Sequence, residues 1–155
     1  MQPLKKIPHS LRKQIDLCRK KQMDIAHLIN GYDISNEDLS HCLISDLNLS
    51  EHNIENVNFS GSRIKLQFQK GRARNCTFMF TTFLEGSTLR NADMRECNFT
   101  GVIAPHIDFS YADLRQCNIC NMTISFFSKK FYKTKLDSNF TKLLSQFLCI
   151  EGFDI

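Results

Sequence analysis

The groups able to do chemistry are scattered along the chain. It holds seven cysteines and five histidines. The one short thiol spacing is Cys117-Asn-Ile-Cys120, which has the form of half a zinc site or of a redox pair. No second pair and no paired histidine completes a tetrahedral set, so neither a metal nor a cofactor is predicted. His9, His27, His41, His52 and His106 lack a serine or cysteine with an acid partner at triad spacing. The chain has no G-x-S-x-G, no H-E-x-x-H, no phosphate-binding glycine loop and no EF-hand pattern. Asp38, Asp93, Asp108 and Asp113 look like paired carboxylates, but each recurs where a turn needs an acceptor. No catalytic residue is assigned.

Basic residues are the stronger signal. Residues 63–74 hold five bases and no acid: Arg63, Lys65, Lys70, Arg72 and Arg74. Arg95 and Arg115 follow at spacings of about twenty. Arginine binds carboxylates and phosphates bidentately, so a row of them suits an acidic surface. The formal charge of the whole chain is +4. Residues 1–30 carry seven bases and two acids, and the remainder thirteen and fourteen. The excess therefore belongs to the N-terminal segment.

That segment reads as a helix over residues 10–30. Ser10 stands at its start and Gly31 at its stop. Leu11, Ile15, Cys18, Ile25, Leu28 and Ile29 recur near helical spacing.

From Tyr32 the pattern changes to a beat of five: YDISN, EDLSH, CLISD, LNLSE, HNIEN, VNFSG. The third position is apolar throughout. It runs from Ile34 through Ile64, then to Phe68 one residue early and Leu89 one residue late, and ends at Ile124. Repetition at a short fixed period marks a solenoid. A register slip inside the basic run is expected to raise a bulge, and this basic bulge is the leading candidate epitope.

NADMRECNFTG and YADLRQCNICN resemble the A(D/N)LXX consensus of pentapeptide-repeat proteins, over about residues 32–125. The resemblance implies an all-β solenoid: a right-handed, four-sided parallel β-helix of about five coils. Its central residue and the one two before it point inward. That phase sends Cys117 inward and Cys120 outward, against a shared ligand. It stacks Cys76, Cys97 and Cys117 as a core ladder and Arg74, Arg95 and Arg115 on one face, with Asp93, Glu96 and Asp113 near enough to neutralise them. Glu37 and His52 break the rule of apolar inner positions.

The expected organisation is a basic helical cap (1–31), the β-helix (32–125), and a degenerate last coil with a C-terminal capping helix (126–155). Phe126, Phe131 and Leu136 are expected to keep the five-residue beat. The apolar tail adds a possible homodimer contact through Leu144, Phe147, Leu148 and Phe153.

No run reaches the roughly 18 apolar residues of a membrane span, and MQPLKKIPHSLRKQ lacks an apolar signal core. A cytoplasmic address with free thiols is expected, or delivery into a host cell if the chain is an effector. The function expected is non-enzymatic recognition of another macromolecule, foremost a protein, by the outer faces of the rod. The alternative is a DNA mimic that binds or protects DNA gyrase or topoisomerase IV. Mimicry needs a strongly negative surface, which the near-neutral body does not supply. Direct nucleic-acid binding lacks aromatic residues interleaved with the basic ones.

Overall fold

In a computed structural model, residues 4–124 and 131–138 are described. They form a parallel β-solenoid of about four full turns, with partial coils at its ends. The apolar beat builds it. From Ile34 to Leu114 every central residue is buried, none more than 3% exposed. Ile119 and Ile124 pack partly buried at the end of the stack.

Residues about twenty apart stack, which gives the rod four sides. The first carries Ile34, Ile54, Ala73, Met94 and Leu114. The second carries Leu39, Phe59, Phe78, Phe99 and Ile119. The third carries Ile44, Ile64, Phe83, Ala104 and Ile124. The fourth carries Leu49, Phe68, Leu89 and Phe109. Most corners turn on a residue with positive φ two places after the central one, such as Asn36, Asn56, Asn75 and Gly101. Asp or Asn one place before the central residue accepts from the backbone N–H two residues on, as Asp38 does from Ser40 at 3.0 Å and Asp108 from Ser110 at 2.8 Å. These Asx turns set the bend.

The third side is the most regular. Strands β3 (Leu43–Asn48), β5 (Arg63–Gln67), β7 (Thr82–Phe83), β8 (Ile103–Ala104) and β9 (Thr123–Ile124) form one parallel sheet. On the first side β4 (Asn53–Glu55) pairs with β6 (Arg72–Arg74). Near the start, β1 (Lys5–Lys6) pairs with β2 (Tyr32–Asp33).

The N-terminal segment is two helices rather than one. α1 spans His9–Lys20 and α2 spans Ala26–Ile29. Pro8, not Ser10, is the N-cap of α1, without a side-chain capping bond. Between the helices, Gln22 turns at φ 54°, and Asp24–Ile25 becomes a rung beneath β3. Ile25 N–H donates to the Leu43 carbonyl at 3.0 Å, and Asp24 Oδ1 accepts from Ser45 N–H at 3.0 Å. The exposed edge of the first coil needs partners, and this demand outweighs the helical periodicity. α1 lies across the same end. Ile15 is buried in the core, and Arg12 binds the inward-pointing Glu37 at 2.5 Å. A cap residue thus satisfies the carboxylate that breaks the apolar rule.

At the other end, Phe131 stacks on Phe109 with ring centroids 5.0 Å apart, and Lys135 pairs with Asp113. Phe131 and Leu136 therefore keep inner positions, two residues later than a strict twenty-residue coil. Phe126, the C-terminal helix, and Leu144, Phe147, Leu148 and Phe153 lie outside the described residues.

Candidate functional site

The two register slips sit at one corner in successive coils. Ile64 to Phe68 is a short step, and Phe83 to Leu89 a long one. Ile44 faces Ile64 and Leu47 faces Leu66, so Ser45 and Asp46 lie opposite Lys65 alone. In the next coil Phe83 faces Ile64 and Thr88 faces Gln67. The missing residue of one coil is restored by the extra residue of the next. Gly86, at φ +83°, completes the longer step, and a Cβ there would stand 3.2 Å from Lys65 Cε.

The expected basic bulge is therefore absent. Arg63–Gln67 is a straight strand paired on both edges, and the irregularity in register falls in β3. A shortened step draws the chain taut instead of looping it out. Its bases are also dispersed. Arg63 and Lys65 lie on the third side, Lys70 at the corner before the first side, and Arg72 and Arg74 on the first side. The first and third sides are opposite faces of the rod.

The first side does gather a row. Arg72, Asp93, Asp113 and Lys135 stack across successive coils, and one place after the central residue run Arg74, Arg95 and Arg115. Asp93 holds Arg95 through Nε and Nη2, both at 2.9 Å, and binds Arg72 Nε at 3.1 Å. Asp113 holds Arg115 at 2.9 and 2.7 Å. These guanidinium hydrogen bonds hold both carboxyls below the usual aspartate range. Elsewhere Lys65 lies 3.4 Å from Asp46, and Lys70 lies 3.8 Å from Glu51. Among the described residues, Arg63 and Arg74 have no carboxylate partner, and both are exposed. A pocket of about 350 Å³ at the end of the row is lined by Arg95, Arg115, Gln116 and Asp137. There Gln116 N–H donates to Asp137 Oδ2 at 2.7 Å, so a side chain takes the place a further coil's carbonyl would fill.

The thiols pack as filling. Cys76 and Cys97 are buried, and Cys117 above them donates to the Met94 carbonyl at 3.0 Å. The Cys76 thiol beside it, together with burial, pushes Cys97 well above the ordinary thiol range, and burial pushes Cys117 up to about 12. Cys120 is exposed. Among the described residues, no group of three His, Cys, Asp or Glu side chains can hold a metal ion, and no helix is long and apolar enough to cross a membrane.

Sequence reasoning missed the exposed aromatics. Tyr111 and Tyr132 meet edge-to-face at 5.4 Å, with the Arg90 guanidinium 5.2 Å from the Tyr111 ring centre. Phe80, 63% exposed, lies at a positive-φ corner of the second side, its ring over Gly101. The coil period sets Arg90 under Ser110 and Tyr111 one place further on, so their contact could not be read from it, and the longer last coil hid Tyr132.

Comparison with known proteins agrees with the coil geometry. Residues 84–119 match the family model for pentapeptide repeats in eight copies. No curated protein matches the chain. Among solved structures, a pentapeptide-repeat protein from the cyanobacterium Cyanothece 51142 is 13% identical, covering 84% of this chain and 95% of its own, at TM-score 0.33. One from Nostoc PCC 7120 is 15% identical, covering 88% and 100%, at TM-score 0.28. QnrB1, a plasmid-mediated fluoroquinolone resistance protein, is 14% identical, covering 80% and 86%, at TM-score 0.26. These overlaps are too loose to carry a function across. The eight matched repeats make residues 84–119 a run of pentapeptide repeats, and the same beat and stacking continue down to Tyr32.

Proposed function

We propose that the protein is a non-catalytic binding module that recognises another protein through the first side of its rod. The observation that carries this reading is the row Arg72, Arg74, Arg95 and Arg115, presented by successive coils of one rigid face. The solenoid fixes the spacing of the guanidiniums at about 4.8 Å per coil, which lowers the entropic cost of binding. Asp93 and Asp113 orient Arg95 and Arg115 and leave Nη1 of each outside those forks. Arg74 adds a guanidinium that no carboxylate among the described residues holds, with Glu55 its register neighbour in the coil below. A ladder of fixed, partly neutralised arginines suits a partner with spaced carboxylates more than a dense polyanion.

The surface gives imitation of duplex DNA no support. The first side sets a column of arginines beside Asp93 and Asp113, and the outer residues of the second side from Asn58 to Asn121 carry no charge.

Affinity capture with the whole chain tests the reading. The variant R72S/R74S/R95S should keep the wild-type circular dichroism spectrum and lose the captured partner. A partner retained unchanged by the triple variant would overturn it.

A further inference from the structure

The inner and outer faces of α1 use different cations. Toward the rod, Arg12 is tied to Glu37 and Arg19 lies 3.8 Å from Asp38; Arg19 also holds Asp16, whose exposed carboxylate beside Lys20 is thereby neutralised. Facing solvent, Lys13, Leu17 and Lys20 fall on one stripe at i, i+4 and i+7, and Lys21 follows directly. All four are exposed. Among the described residues, none of the three lysines has a carboxylate partner. The apolar residues beside them are unusually open, Leu17 at 52% and Met23 at 51% exposure.

We infer that the N-terminal end of the rod docks on an anionic bilayer surface through Lys13, Lys20 and Lys21, with Leu17 and Met23 entering the headgroup layer. The helix lies across the end of the solenoid, so a flat surface meets the whole stripe at once. Lysine ammoniums are point charges without the fork that selects a particular carboxylate, which suits a diffuse layer of lipid phosphates. Each contributes to attraction near an anionic leaflet, and the two exposed apolar side chains add shallow insertion of the kind interfacial helices use. The apolar face of α1 stays on the core, so docking requires no unfolding.

Co-sedimentation of the full chain with vesicles tests this. Vesicles of 70% phosphatidylcholine and 30% phosphatidylserine should retain the protein at low salt and release it as salt rises, and pure phosphatidylcholine should not retain it. K13Q/K20Q/K21Q should weaken retention by about fivefold per lysine, roughly a hundredfold in all. L17S should weaken it a few-fold at unchanged salt slope. Equal retention on both vesicle types would overturn the inference. So would unchanged retention of the triple lysine variant, or retention on immobilised polyglutamate with none on the anionic vesicles.

Discussion

Single residues hold the coils together by stacking on their copies above and below. Phe78 lies between Phe59 and Phe99, both ring centroids 5.1 Å away and nearly parallel. Phe78→Ala empties the middle of that stack and should cost about 3–5 kcal/mol in denaturant unfolding. The thiols report the same core. Iodoacetamide labelling of native protein followed by mass spectrometry should modify Cys120 readily and leave Cys76 and Cys97 unmodified until denaturant is added. Early labelling of Cys97 would contradict its burial. Asp93 and Asp113 ionise at lower pH in the folded chain than in the unfolded one, because Arg95 and Arg115 bind their charged forms. Their contribution is complete at neutral pH and disappears as pH falls below about 4. Thermal melts of D93N/D113N should show a lower Tm at pH 7 and a flatter decline into acid than the wild type. The inward thiols and the aspartate turns were legible because a five-residue beat fixes which way each side chain points. That Asp93 would bind both Arg72 and Arg95, while Arg74 and Arg63 are left without a carboxylate among the described residues, was not, since pairing depends on which residue of the adjacent coil stands opposite.

At the scale of elements, the chain trades one irregularity against another. The short step at Lys65 and the long step at Gly86 cancel, so the coils above return to register as far as Ile124. Inserting one serine after Lys65 should lower Tm, and deleting Gly86 alone should do the same. Combining them makes every step five residues and should recover much of the loss, a coupling that independent sites would not show. Both slips are visible in the sequence. Their cancellation across coils, and the straight paired strand in place of a bulge, appear only when the coils are stacked. The N-terminal helix fails as a single element for a related reason. Leu28 and Ile29 keep helical spacing, yet the open edge beneath β3 draws Asp24 and Ile25 into a rung.

At the scale of the whole molecule, a four-sided rod separates residues that are neighbours in sequence. Arg63 and Arg72 are nine positions apart and lie on opposite sides, whereas Arg74 and Arg95 are brought onto one row. The charge of +4 is thus distributed as lysines on α1 and a neutralised arginine–aspartate ladder on the first side. Function was the least legible level, since a regular surface carries no motif and only the side on which charge remains can be read. The central claim is that the first side is the face that binds. The most direct measurement places a photo-cross-linking side chain at Glu55, exposed directly below Arg74, or at Arg63 on the opposite side. Irradiation with the captured partner should give a cross-linked product from position 55 and none from position 63. A product from 63 with none from 55 would contradict the account.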